Sequence, residues 1–518
     1  MVTASKNNAL YSFLSALSII LLIWLVYAFS FTPIRTSNDI WWQLKTGKYL
    51  CEHRFTLPEN DIFAFTSEDI PWHNHEWLSQ ILMYGGYLLG EKTTIDGVRS
   101  VIIFKTCILI VTFLILLIPV ARRCGNLPAA ALIVAICAAV ARRSFMPRPP
   151  VVTYLFLAIF IWLLFTSRER RKKIIYFIIL PMMMILWANL HGGFIAGIVL
   201  VGLFFTGELI ERRIEKKNHE APHISWTPAN YLTLLVLLVI ASLFNPFTYK
   251  LYLLPVRVMS DPNLVRIIPE MQSPDFFFTR AYEFMLVVFF AGFALIRKER
   301  IRIAELLILL FFFHQSINHM RHLPLFAICT APIMAWIVGE LIRGIPEKAR
   351  TFTPALFTII LVLFVGFSIF HHREGMSYHE RNIRLLSGIA YEKEAFPEEV
   401  SNFILANDFK GRMFNQINYA GYLIWKLSPE THKVFTDPRY DIFGSRFVWD
   451  NEIIAEAGKG WEALLEKWEF NFIVVHKDSG LAKAFRDTYK WVRVYSGRWN
   501  VYVKNIPLNQ ELINLYGE

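Results

Sequence analysis

Apolar residues gather in eleven blocks along the chain, at 9–31, 97–121, 127–141, 149–166, 174–190, 193–211, 229–244, 282–296, 302–318, 323–342 and 353–370. A helix that crosses a bilayer needs about 20 such residues at about 1.5 Å of rise each, so these blocks predict membrane spans. The first block is too long for the apolar core of a cleavable signal peptide and no small-x-small site follows it, so it is expected to remain as the first span. From about residue 397 the pattern changes. Short helices (PEEVSNFILAND, GWEALLEKW) alternate there with short strands (RMFN, HKVFTD, FNFIVVH, WVRVYSG, WNVYVK). The expected fold class is therefore an α-helical polytopic membrane protein, of about eleven transmembrane helices, with a C-terminal soluble α/β domain. The expected domains are 1–370, including a first loop at 32–96, and 371–518.

Composition agrees with membrane residence, since 55% of the 518 residues are hydrophobic and 18% are charged. The net charge of +11 does not point to nucleic acid, because Lys and Arg cluster in connectors between the apolar blocks. Arg122-Arg123 and the connectors 168–173 (RERRKK), 212–217 (RRIEKK), 297–302 (RKERIR) and 343–350 fall on one side if the spans alternate. The positive-inside bias makes that side cytoplasmic. It places the N-terminus in the cytoplasm and 371–518 outside. Of five cysteines only Cys51 falls in a loop, which leaves no disulfide framework and no Cys-based zinc site. No fixed-period repeat is present, so a solenoid is not expected.

The chemistry-bearing motifs sort to the other, external side. Asp39 opens a segment that places Ile40, Trp41 and Leu44 on one helical face, as in an amphipathic helix on a membrane surface. Its carboxylate either caps that helix or serves as a general base toward an acceptor hydroxyl. His73, Asn74, His75 and Glu76 lack the HExxH spacing of a zinc helix. They are expected to line a cavity or cap a helix at 76–89, and Glu76 is a candidate to orient or assist Asp39. Arg142, Arg143, Arg148, Lys250, Arg257, Arg266 and Arg321 depart from the charge bias. Either anionic headgroups or a captured phosphate explain such exceptions. Asn189, His191, Gly192 and Gly193 form a tight hairpin in which His191 is available to donate to phosphate or sugar. His319 and His322 flank Arg321 in a similar turn. Lys105 within the second span requires snorkelling or a polar cavity, and the long segment 245–281 suits an acceptor site or a lid.

One span, a large loop opening on a juxtamembrane Asp, many further spans and a C-terminal domain: this order resembles the GT-C superfamily of membrane glycosyltransferases. The likeness covers roughly residues 9–370 and is to bacterial proteins similar to protein O-mannosyltransferases and lipid A aminoarabinose transferases. NDIWWQLKTGKYL, PWHNHEWL and ANLHGG carry it. The resemblance implies a polyprenyl-phosphate-linked sugar donor, inverting transfer at the outer leaflet of a bacterial inner membrane, and a first-loop aspartate as base, which maps onto Asp39. An adjacent Asp-Glu pair is absent, so Glu76 and Asp61 are the candidates for a second carboxylate. Without a DxD motif no divalent cation, and no other cofactor, is inferred. The expected site is Asp39 and Glu76 for catalysis, with His75, Arg142, Arg148, His191, Arg321 and Trp42 holding substrate or phosphate. Expected partners are the lipid-linked donor, membrane lipid and an acceptor of unassigned class. The C-terminal region reads as a cap or acceptor-recognition module, with Asp437, Arg439 and Tyr440 in a turn. A transporter or flippase of lipid-linked glycans, or an assembly scaffold, is the alternative.

Overall fold

The computed structural model describes residues 2–35, 39–167, 174–217, 226–275, 280–295, 301–371, 376–487 and 489–518. Ser37, Asn38, the connector 168–173, Phe276 and positions 297–300 lie outside the described residues. Six helices are long and apolar enough to cross a membrane, and five shorter apolar helices join them among the described residues. All eleven apolar blocks are thus helical, from Val2–Ser30 to Thr353–Phe370. Local chemistry sets their ends. In Cys124-Gly125-Asn126-Leu127-Pro128, Gly125 closes Gly97–Cys124 at φ 71°, a left-handed conformation that needs no Cβ. Asn126 then opens Leu127–Ala141 by accepting from the Ala129 N–H at 3.1 Å.

Two compact units make up the chain. The first comprises Met1–Pro33, Thr94–Tyr249 and Ile268–Ala390; the second comprises Ile34–Thr93, Lys250–Ile267 and Tyr391–Glu518. Hydropathy suggested a single division at residue 370, whereas the first loop and the C-terminal residues share one unit and 371–390 stays with the spans.

In the first unit the span Leu127–Ala141 is buried along nearly its whole length. Its run of alanines lets Val2–Ser30, Gly97–Cys124, Leu323–Arg343 and Thr353–Phe370 pack around it. Large apolar side chains face outward on peripheral spans, among them Ile178, Met182, Val287, Phe290, Leu363 and Phe367, as lipid-facing surfaces require. Arg123 makes a bidentate pair with buried Glu305 at 2.9 Å through each nitrogen. Lys105 neither snorkels nor lines a polar cavity. Buried in its span, it donates to the carbonyls of Ser30 at 2.5 Å and Phe145 at 3.0 Å, closing the C-terminal end of the first span.

The second unit is built on a four-stranded sheet of β1 (Arg412–Asn415), β2 (Phe470–His476), β3 (Trp491–Tyr495) and β4 (Trp499–Lys504), in the order β1-β2-β4-β3. β1 runs parallel to β2 and the other pairs are antiparallel. Residues 432–437, expected as a strand, stay outside the sheet. Val434 bonds instead to the first loop, donating to the Phe63 carbonyl at 2.9 Å and accepting from the Phe65 N–H at 3.1 Å. Asn415 completes the exchange by accepting from the Phe435 N–H and donating to the Thr436 carbonyl.

The helix Asp39–Glu52 departs from the surface helix read in the sequence. Ile40 through Gly47 are all buried, because the helix packs on Trp77–Glu91 along one side and on Ala420–Leu427 along another. Trp41 sits within 4.9–5.3 Å of the rings of Tyr391, Phe396 and Tyr422. Gly47 permits the helix contact, since a Cβ there would meet the Gln80 carbonyl oxygen at 2.2 Å and Tyr84 Cβ at 2.7 Å. Gly47→Ala is expected to cost about 1–3 kcal/mol by overpacking. The control Gly86→Ala, where a Cβ meets nothing within 4 Å, gains up to about 1 kcal/mol. Thermal unfolding of the two variants checks the contrast, and equal stabilities would show that the helices are not in this contact.

Candidate active site

Asp39 is the first residue of that buried helix, at the end where unpaired backbone N–H groups and the helix dipole favour a carboxylate. Glu76 stands just before the helix Trp77–Glu91 but does not cap it with its side chain. It accepts from Gln43 Nε2 at 2.5 Å and lies 3.9 Å from His75 Nε2. Its side chain is 12% exposed. Burial pushes the Glu76 carboxyl above its ordinary range; His75 and Gln43 pull it back, and the charges of Asp441 and Asp39 push it further up. Asp39 and Glu76 therefore lie within electrostatic range of each other. Asp441 joins them, and it escaped the sequence reading, which singled out its neighbours Asp437, Arg439 and Tyr440. Burial, then Lys250 and Arg257, lower His73 below the usual imidazole value against the opposing Asp441.

The raised Glu76 carboxyl has a signed consequence. Above pH 4.5, the ordinary glutamate value, the folded chain keeps a proton that the unfolded chain has lost. Stability falls as pH rises through that window, by at most about 1.4 kcal/mol per pH unit. Glu76→Gln keeps the bond from Gln43 and is expected to remove this slope. His73 contributes the opposite slope and cancels in the comparison. Unfolding midpoints of wild type and Glu76→Gln across this range measure the difference, and parallel pH profiles would rule out a raised Glu76.

Two further expected residues of this unit have core positions. Trp42 is 8% exposed and packs with Phe63 and Trp72, its ring 5.9 Å from the Arg439 guanidinium. Asp61, a candidate second carboxylate, is buried; it accepts from Arg439 Nη1 at 2.7 Å, Arg439 Nη2 at 3.0 Å and Ser67 Oγ at 2.5 Å. Arg439 also donates to Asp437 through Nε at 2.8 Å and through Nη2, so the expected turn at 437–440 is the centre of a buried Asp-Arg-Asp cluster.

Arg142, Arg148, His191 and Arg321 belong to the first unit. Arg148 pairs with Glu270, Nη2 to Oε1 at 2.5 Å. Arg148, Glu270 and Arg321 all lie within electrostatic range of Tyr154, near the start of the span Pro150–Ser167. The His319 ring contacts the Met271 carbonyl at 2.7 Å, and the Met320 N–H donates to the Gln272 carbonyl at 2.8 Å. Arg142 donates to the Ala139 carbonyl at 2.8 Å.

His191 is set by Thr153, which neighbours Tyr154 on the same helix turn. Trp187 Nε1–H donates to Thr153 Oγ1 at 3.0 Å, and the Gly193 N–H donates to His191 Nδ1 at 3.0 Å. Both are obligate donors, so Nδ1 is an acceptor and the Thr153 hydroxyl, 2.7 Å away, donates to it. The neutral ring then carries its proton on Nε2 and presents a hydrogen-bond donor there. Thr153, Tyr154 and Glu270 were not found from sequence, although Thr153 and Tyr154 are a polar pair in an otherwise apolar block. Among the described residues, no group of three or more His, Cys, Asp or Glu side chains is placed to hold a metal ion.

No family model and no curated protein matches the chain. Solved structures do. An archaeal oligosaccharyltransferase, AglB from Archaeoglobus fulgidus in complex with an inhibitory peptide and a dolichol-phosphate, aligns over 96% of this chain and 75% of its own, with TM-score 0.56 and 10% identity. ArnT from Cupriavidus metallidurans bound to undecaprenyl phosphate aligns over 96% and 98%, with TM-score 0.51 and 12% identity. The arabinofuranosyltransferase AftD from Mycobacteria aligns over 94% of this chain and 41% of its own, with TM-score 0.52 and 11% identity. The resemblance to GT-C glycosyltransferases read in the sequence is thus borne out in the fold. The chain is a multi-pass, α-helical membrane protein of that architecture with a small α/β region toward its C-terminus.

Proposed function

We propose that this protein is a glycosyltransferase that moves a sugar from a polyprenyl-phosphate-linked donor to a hydroxyl of a protein, lipid or glycan acceptor. The reaction runs at the outer leaflet of a bacterial inner membrane, with the N-terminus in the cytoplasm and residues 371–518 on the far side. The observation that carries the reading is the Asp39 carboxylate, at the first turn of a buried first-loop helix and within electrostatic range of Glu76, in a chain of GT-C fold. The lipid phosphates bound to AglB and ArnT support a lipid-linked donor.

Asp39 takes the proton of the acceptor hydroxyl as its oxygen bonds to the anomeric carbon from the face opposite the phosphate. The bond from that carbon to the phosphate oxygen breaks, its electron pair leaves on the lipid phosphate, and the anomeric configuration inverts. Glu76 and His75 orient the base. In the first unit, Arg142, Arg148 and Arg321 are the donors suited to phosphate oxygens and His191 Nε2–H to a neutral acceptor oxygen.

Purified protein in proteoliposomes with a radiolabelled polyprenyl-phosphate sugar tests the class of activity. Label appearing on an acceptor supports transfer. Label crossing the bilayer while remaining on its lipid would instead make the protein a flippase.

A further inference from the structure

The second unit contains a helix, Lys250–Met259, with an unusual distribution of apolar side chains. Leu251 is buried, Leu254 and Val258 are half-buried, and the helix packs on Tyr440–Ala455. At about 100° per residue these three side chains occupy one narrow sector. The opposite sector holds Leu253, Val256 and Met259, which are 47%, 61% and 47% exposed. A helix docked on its own unit by one apolar face normally shows a polar face to water; this one shows a second apolar face.

One border of that face is basic. Lys250 and Arg257 are exposed and lie between the two sectors, and the helix KLYLLPVRVM has no acidic residue. Asp261, which follows it, is turned to backbone donors, accepting from the N–H groups of Asn263 and Ser445. Lys250 and Arg257 also lie within electrostatic range of His73, which fits their place at the inner edge. The chain confines where the helix can reach. The span Pro228–Ser242 ends eight positions before Lys250, so even a fully extended connection holds the start of the helix within about 30 Å of that span's end.

We propose that Lys250–Met259 docks on the surface of a bilayer containing anionic phospholipid, with Leu253, Val256 and Met259 entering the boundary between headgroups and acyl chains. Lys250 and Arg257 contact the headgroup charge. Each basic group near an anionic surface favours the docked state by about fivefold. The contact is independent of what the protein catalyses.

The test is photocrosslinking of the full-length protein in phosphatidylcholine vesicles, with and without phosphatidylglycerol. Val256, or in a second preparation Leu254, is replaced by benzoyl-phenylalanine, and adducts are identified by mass spectrometry. Position 256 is exposed, so this replacement leaves the fold in place. The expected result is a phospholipid adduct at 256 at least about fivefold above that at 254, falling by about fivefold or more when phosphatidylglycerol is omitted or when Lys250→Gln and Arg257→Gln are combined. An adduct at 256 to a second copy of the chain, no lipid adduct there, equal yields at 256 and 254, or a yield indifferent to both phosphatidylglycerol and the two basic groups would overturn the proposal.

Discussion

Asp39→Asn is expected to lower the rate of sugar transfer by about a hundredfold to ten-thousandfold while leaving the protein folded. The range is what a positioned general base contributes, and the substitution keeps the size and most of the hydrogen bonding of the side chain while removing its capacity to accept a proton. The loss should fall on kcat rather than on KM, because proton transfer belongs to the transition state. A second readout separates a base from a structural carboxylate. Burial chiefly raises the Glu76 carboxyl and the Asp39 charge adds to it, so removing that charge should shift the Glu76-dependent slope of stability to lower pH. Loss of transfer together with that shift identifies a folded protein lacking its base. Loss of transfer with loss of folded protein would instead make Asp39 a helix-capping group.

The second large effect concerns stability. Arg439→Met is expected to cost the second unit about 3–5 kcal/mol, the usual result of stripping a buried charge cluster of one partner. Arg439 is 3% exposed and carries two buried carboxylates, Asp61 and Asp437. Its guanidinium is also stacked near Phe63, Trp72 and Phe443, at 4.7 Å from the Trp72 ring centroid. Burial, with Asp61 beside it, already holds the Asp437 carboxyl above its ordinary range despite the attraction of Arg439. Without the guanidinium the Asp437 carboxyl loses the attraction that opposes its rise, so the folded variant binds a proton that its unfolded chain releases. Its deficit must shrink as pH falls. Adding Asp61→Asn and Asp437→Asn to Arg439→Met removes the unpaired charges and should restore part of the loss. Denaturant unfolding of the single and triple variants at two pH values checks both statements; a deficit that ignores pH would place the cost in lost packing instead.

The spans were legible because each is a local property: a block of apolar residues bounded by polar ones, with stop and start signals such as Gly125-Asn126. FNFIVVH, WVRVYSG and WNVYVK were legible for the same reason, as β-branched and aromatic runs between turn residues. What escaped depends on partners far away in sequence. HKVFTD has the composition of a strand, yet Val434 bonds to Phe63 and Phe65 in the first loop. Ile40, Trp41 and Leu44 have the spacing of a surface helix, but Tyr391, Phe396 and Tyr422 cover Trp41, and no periodicity announces them. Asp61 and Arg439 each look like solvated charges until they are brought together. Of the candidate residues, the sequence offered Asp39 and Glu76 in the second unit and His191 in the first. Asp441, Thr153 and Glu270 emerged from side-chain contacts and charges, and of these Thr153, beside Tyr154 in an apolar block, carried a readable signal.

Transfer of labelled sugar from membrane lipid to endogenous acceptors, compared between wild type and Asp39→Asn in membranes of matched protein content, tests the central assignment most directly. Transfer by wild type with little or none by the variant is the expected result. Equal transfer by both would remove Asp39 from catalysis, and absence of transfer by wild type would contradict a glycosyltransferase.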